Sequence, residues 1–427
     1  MVLLKRYALP SLLALALVAC SGDPANVAAT ATAPAPTAAT ANARWIGTWG
    51  ASPFGFQAFG PAPAPQPFVN QTVRQKLRIS VGGSQVRIRF SNELGTTPLV
   101  IGAATIALAG NDSAVDTASL RTLTFGGETS VALPPGAPAL TDPVELAVAD
   151  LAELAISVYL PAETAPATMH MGRSAYVSAA GDFTQAPSLD GAEQSTNHVF
   201  LTGVYVLTTE DVAVVAALGD SITDGAASTP HSYNAWPDHF ATRVSAGTGT
   251  GKIAIVNHGI SGNQVLRDGA GSSALARFDR DVLSTPGLTH VVVLEGINDI
   301  GIGGFAFPGA EGPPPAERTA AELIAGYRQL IARAHASGLK IFGATLTPFE
   351  GTFAGYYTPA KDEVRLQVNE WIRDSGEFDA VIDFEAAIRD EANPRVMKAE
   401  YDSGDKLHPG DVGYRRMAEA IDPALFR

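Results

Sequence analysis

The chain has 427 residues, 46% of them apolar, and a formal net charge of −14. One hydrophobic core seldom serves that length, so two domains are expected, and the acidic balance excludes a nucleic-acid partner, whose phosphates need clustered Lys and Arg. Cys20 is the only cysteine, so no internal disulfide can form and stability must come from the cores.

Lys5 and Arg6 precede an apolar stretch, Ala8 to Ala19, that is too short to span a bilayer. Residues 1–19 therefore read as a signal peptide. Their end, Leu17-Val18-Ala19-Cys20, resembles a bacterial lipoprotein signal. That resemblance implies that Cys20 becomes the first mature residue, carries lipid and anchors the protein in a membrane of the cell envelope. Ser21 suits the outer membrane in a cell with two. An ordinary secretory signal with an incidental thiol is the alternative. Residues 20–43 are mostly Ala, Thr, Pro and Asn without periodicity and read as a tether.

From 44 to 208 the period is two. Leu77, Ile79 and Val81 alternate with polar residues, and after Gly82-Gly83 the pattern resumes at Val86, Ile88 and Phe90, which predicts a hairpin closed by a glycine turn. Val144 to Val148 and Leu154 to Leu160 repeat the alternation. Short strands without a convincing helix predict an all-β sandwich of jelly-roll-like type. The run from Gly60 to Pro67 reads as a surface loop. Trp45 and Trp49 read as core, with stacking on a sugar ring as the other use of such aromatics.

From 209 to 427 continuous apolar runs replace the alternation: Val212 to Leu218, Ile253 to Val256, Val291 to Leu294, Ile341 to Leu346 and Ala380 to Ile382. Between them, Leu323, Tyr327, Leu330 and Ile331 share one face of a helix over 320–336. Five buried strands alternating with helices predict an α/β domain whose parallel sheet is covered on both sides. In such sheets working residues lie just past the carboxyl ends of the strands.

Those ends carry Gly219-Asp220-Ser221, Ser261-Gly262-Asn263 and Gly296-Ile297-Asn298-Asp299, and a glycine-flanked loop near the C-terminus carries Asp405-Lys406-Leu407-His408. With these four blocks in order, the C-terminal half resembles the SGNH, or GDSL-type, serine hydrolases. It departs from the usual pattern in having Ile222 where Leu often follows the serine. The resemblance implies a three-layer α/β/α domain with a flavodoxin-like five-stranded sheet, and it implies roles. Ser221 would be the nucleophile, His408 its base and Asp405 the partner of the imidazole. The backbone N–H groups of Ser221 and Gly262 and the side-chain amide of Asn298 would form the oxyanion hole.

Chemistry supports those roles. A serine hydroxyl is a weak nucleophile until a base takes its proton, and a carboxylate on the other ring nitrogen fixes the tautomer of that base. Gly262 lets backbone approach the substrate, and an amide donates without adding charge. Other uses compete: a helix N-cap for Ser221, a cap on the following turn for Asn298 and Asp299, a surface histidine for His408. His258 and His290 read as structural, and Asp279 and Asp281 beside Arg280 as a solvated helix face. The absence of a Gly-x-Ser-x-Gly elbow argues against an α/β-hydrolase. No metal-ligand spacing or nucleotide loop occurs, so no cofactor or metal is expected.

The expected function is an exported serine esterase working through an acyl-enzyme. Its substrate would be a short acyl ester, acetyl in the first place, on a glycan. Lipase or lysophospholipase activity on longer chains, O-acyl transfer to a sugar hydroxyl, and non-catalytic carbohydrate binding are the alternatives. Partners are thus an acylated carbohydrate, short-chain ester or lipid, and a membrane through Cys20. Oligomeric state is left open.

Overall fold

The computed structural model describes residues 42–55, 65–170, 174–247, 251–305 and 313–427. The expected signal, Cys20, the tether up to residue 41 and part of the loop at 60–67 lie outside them. Asn42–Arg427 form one compact unit.

The first part is two antiparallel sheets. One runs Arg44–Gly50, Leu201–Thr208, Gly83–Ser91 and Pro138–Leu140, with Val144–Val148 also paired to Gly83–Ser91. The other runs Glu193–Ser195, Ser174–Ala180, Gln71–Arg78, Glu153–Leu160, Ala103–Leu108 and Arg121–Thr122. Ile46, Ile88, Phe90 and Val204 of the first meet Val73, Leu77, Ile106 and Ile156 of the second in a shared core, so the region is a β-sandwich.

The expected hairpin at Gly82-Gly83 does not form. Gln71–Arg78 pairs with Glu153–Leu160 and Ser174–Ala180, whereas Gly83–Ser91 pairs in the other sheet. The glycines mark a crossing between sheets. A Cβ on Gly82 would lie 2.1 Å from the Val148 carbonyl oxygen, so close backbone approach, not a hairpin turn, excludes a side chain there.

The second part is built on five parallel strands, β1 (Val212–Gly219), β2 (Lys252–Gly259), β3 (Leu288–Leu294), β4 (Lys340–Ala344) and β5 (Ala380–Ile382), in spatial order β2-β1-β3-β4-β5. Gly219 is level with Gly259 on one side and Leu294 on the other, so three strands end at one edge. The strand order reverses between β1 and β3, which opens a crevice beyond the end of β1.

Eight helices join and cover the strands among the described residues: α1 (Ser221–Asp224), α2 (Trp236–Ala246), α3 (Ala274–Arg277), α4 (Ile297–Ile302), α5 (Ala320–Ala336), α6 (Pro359–Asp374), α7 (Phe384–Ile388) and α8 (Asp411–Ala420). The predicted stripe of α5 is buried, and Thr319 with Glu322 closes a capping box at its start.

The two parts share a core. Ile253 and Ile255 of β2 pack in the α/β core, whereas Ala254 joins Val212, Val214 and Ile260 in the core of the sandwich. The strand Arg44–Gly50 lies against β2: a Cβ on Gly50 would come within 3.2 Å of Val256 and 3.0 Å of His258, and the Gly47 N–H donates to the Pro286 carbonyl at 2.8 Å. Part of the sandwich occupies a place where an α/β sheet ordinarily carries a helix.

Candidate active site

Asp220 follows β1 and caps α1: its Oδ1 accepts from the Ile222 N–H at 2.9 Å. The cap is therefore Asp220, not Ser221, and the serine begins the helix with its hydroxyl free for another partner. That partner is His408, whose Nε2 lies 2.8 Å from Ser221 Oγ. The histidine comes from the loop before α8, where Lys406 adopts a left-handed φ of 64°. Its Nδ1–H donates to Asp405 Oδ2 at 2.6 Å, and Asp405 Oδ1 accepts from the backbone of Leu407 and His408 at 2.9 and 2.8 Å. Burial would raise the Asp405 pKa, but the imidazole and those two N–H groups hold it well below the usual carboxylate range, so it stays ionised and fixes Nδ1 as the protonated nitrogen.

Asn298 sits at the start of α4, 6% exposed. Its Oδ1 accepts from the Tyr356 hydroxyl at 2.8 Å, and its Nδ2 is buried without a hydrogen-bond partner among the described residues. Leaving a buried donor unpaired costs about 1–3 kcal/mol, and such orphans gather where an acceptor arrives only during function. Gly262, on the loop after β2, has φ 80°, a conformation that favours glycine. Asp299 clips that loop to α4 by accepting from the N–H groups of Val265 and Leu266 at 2.7 and 3.0 Å. Burial lifts the Asp299 pKa to about 6.

Sequence reasoning passed over the residue that joins these segments. Arg277, 1% exposed, donates to the carbonyls of Gly219 (2.9 Å) and His258 (2.7 Å), to Asn263 Oδ1 (2.9 Å) and to Ser52 of the sandwich (2.9 Å), and it pairs with Glu295 and Asp281, each at 3.4 Å. One guanidinium thus holds the ends of β1, β2 and β3. A signal existed: Arg277 shares a helical stripe with Ala274 and Phe278, and Asp281 follows four residues later. The expected solvated face is corrected accordingly. Asp279 is exposed and pairs with Arg333, but Asp281 is 4% exposed, because it neutralises both Arg277 and Arg280.

Carboxylates crowd beneath the serine. Burial raises the Asp220 pKa to about 7 and that of Glu295 well above the carboxylate range, with neighbouring Asp299 adding to both. His258 and His290 are buried away from the serine–histidine pair, against Ser52 and Thr285 for the first and Thr289, Phe342 and Phe426 for the second. Burial lowers each pKa to about 4. Trp45 stacks under Arg87 and Trp49 packs 6.0 Å from His198, both half-buried.

The arrangement can take a proton from Ser221 onto His408 while Asp405 stabilises the imidazolium, which is the first half of acyl transfer. Residues 217–416 match the GDSL-like lipase/acylhydrolase family. That region is a GDSL-like acylhydrolase domain, and the protein is a carboxylic ester hydrolase. No curated protein matches the chain. Similar solved structures include a GDSL-like lipase from Bacteroides thetaiotaomicron, at 19% identity, 50% of this chain, 87% of that chain and a TM-score of 0.34. A variant acetyl xylan esterase from Geobacillus stearothermophilus aligns at 24% identity over 49% and 92%, with a TM-score of 0.38. A G-D-S-L family protein from Desulfitobacterium hafniense aligns at 20% over 49% and 97%, with a TM-score of 0.37. These superpositions are loose, and the assignment rests on the family match.

Proposed function

We propose that this acylhydrolase is an exported, lipid-anchored serine esterase that removes short acyl groups, acetyl foremost, from a glycan. Ser221 attacks the ester carbonyl, His408 accepts the serine proton and passes it to the leaving alcohol, and the acyl group stays on Ser221 Oγ. His408 then deprotonates water, which attacks the acyl carbon, and returns that proton to Ser221 Oγ as the acid leaves. The Ser221 and Gly262 N–H groups and Asn298 Nδ2 hold the oxyanion, a donor set of which each member commonly contributes about 10²- to 10³-fold.

The continuous Ser221–His408–Asp405 chain at 2.8 and 2.6 Å carries this reading. The substrate class draws support from Phe353, 49% exposed, which packs edge-on at 5.3 Å against the Tyr356 that touches Asn298. An exposed ring beside such a site suits stacking on the apolar face of a sugar.

The test is hydrolysis of p-nitrophenyl esters from acetate to palmitate and of an acetylated oligosaccharide, beside Ser221→Ala. Serine-dependent activity greatest on acetate fits the proposal. A preference for long chains would replace it with a lipase, and a product acylated on an added sugar would replace hydrolysis with transfer. The anchor is tested by Cys20→Ser, which should leave the membrane fraction with its activity intact.

A further inference from the structure

Helix α4 is clamped by the segment between β4 and α6 and by the first turn of α6. Gly301, inside that helix, leaves no room for a side chain: a Cβ there would lie 2.2 Å from Tyr356 Cζ. Lys361, 5% exposed, donates from Nζ to the carbonyls of Gly301 at 2.8 Å and Gly355 at 2.6 Å. Phe349, Phe353 and Phe305 meet the Tyr356 ring edge-on at 6.1, 5.3 and 6.3 Å. A ring walled in this way, 4% exposed, holds its hydroxyl at a fixed point. From there it donates to Asn298 Oδ1 at 2.8 Å, with the Ile297 carbonyl farther off at 3.4 Å.

We propose that Tyr356 is the positioning residue of the oxyanion hole: its hydroxyl anchors the oxygen of the Asn298 amide, so that Nδ2 and not Oδ1 faces the developing oxyanion. A carboxamide has two faces of nearly equal shape and opposite polarity. Rotated by half a turn, Asn298 would present an oxygen to an oxyanion, and one donor would become a repulsive dipole. The tyrosine hydroxyl favours one face because Oδ1 is the near acceptor for its proton: with the amide turned, that proton would be left with the Ile297 carbonyl at 3.4 Å. Burial raises the Tyr356 pKa well above its ordinary value, so the hydroxyl keeps its proton across the working range. A bond at Oδ1 also polarises the amide and strengthens Nδ2–H as a donor.

The inference rests on the serine-esterase reading, and two measurements separate its failure from the failure of that reading. The first is a double-mutant cycle in the full chain, with p-nitrophenyl acetate as substrate. Tyr356→Phe removes one oxygen and keeps the ring, so kcat should fall about tenfold with KM little changed, part of the roughly 10²- to 10³-fold that loss of an oxyanion donor costs. In an Asn298→Ala background the same substitution should change kcat by less than about twofold, because the group it orients is gone. Equal losses in both backgrounds, or no loss in the parent, would overturn the proposal.

The second measurement needs no turnover. The side-chain ¹⁵NH₂ resonances of Asn298, identified by their disappearance in Asn298→Ala, should move in Tyr356→Phe. Unmoved resonances would overturn the inference whether or not the protein cleaves esters. A shift in a protein that hydrolyses nothing would sustain the contact and overturn the esterase reading instead.

Discussion

Arg277 donates from Nη2 to the carbonyl of Gly219, 2.9 Å away and two residues before Ser221. The same guanidinium reaches the ends of β2 and β3 and Ser52 of the sandwich, so the crevice and the β-rich part are tied at one buried charge. Arg277→Met would leave Asp281 and Glu295 buried without it, and removing one member of a buried ion pair costs about 3–5 kcal/mol. Urea unfolding followed by fluorescence should show that loss. An unchanged midpoint would mean that the three strand ends hold their places without the arginine.

Asp405→Asn keeps the size of the side chain and removes the charge that faces His408 Nδ1–H. The imidazole is then free to take the wrong tautomer, and kcat on p-nitrophenyl acetate should drop by about 10⁴-fold. A loss of less than about tenfold would remove Asp405 from the relay, since orientation of the base is what it supplies.

Asp220 and Asp299 should each lower stability as pH rises from about 4 to about 7, against the rise that the buried His258 and His290 contribute between about pH 4 and 6.5. Burial raises the folded pKa of Asp220 from 3.8 to about 7 and that of Asp299 to about 6. In that window the two folded carboxyls keep protons that the unfolded chain has released, so their share of stability falls with each increment of pH. Asp405 has the opposite sign: its depressed pKa stabilises above the ordinary carboxylate range and is lost only in stronger acid. Asp220→Asn preserves a cap acceptor and should remove the Asp220 share, on the order of a few kcal/mol across that window. Denaturation midpoints across pH measure it, and an identical slope in the variant would reject the assignment.

Residues 209–427 expressed alone should not give a soluble monomer. Val212, Val214, Ala254 and Ile260 pack into the sandwich core, and removing the sandwich exposes that face together with the Ser52 acceptor of Arg277. Contiguous exposed apolar surface of this kind drives association. A monodisperse, active fragment on size exclusion would show that the α/β part stands by itself.

Much of this organisation is legible in the chain. Period-two alternation marked the sandwich strands and continuous apolar runs marked the buried parallel ones, because each side chain's exposure follows directly from its place on a strand. The four blocks stood out because strand ends are where a parallel sheet exposes groups to a ligand. Partners were harder. The alternation around Gly82-Gly83 said which side chains turn inward but not which sheet each strand joins, and the two strands went to different sheets.

By itself, then, the sequence determined the class of the two halves and the identity of Ser221, Gly262, Asn298, Asp405 and His408 as candidates, since periodicity and local spacing are properties of a few neighbouring residues. Only the tertiary structure decided that Ser221 faces His408 rather than caps its own helix, that Arg277 and Asp281 are buried, and that Tyr356 holds the amide of Asn298. Those contacts join residues 187 and 58 positions apart in the first and last cases. For Arg277 and Asp281, only four apart, it was the sandwich and strand ends closing over them that turned a surface pair into a buried one. Contact over such separations depends on how the sheets stack and where the chain crosses between them, and no local pattern records that.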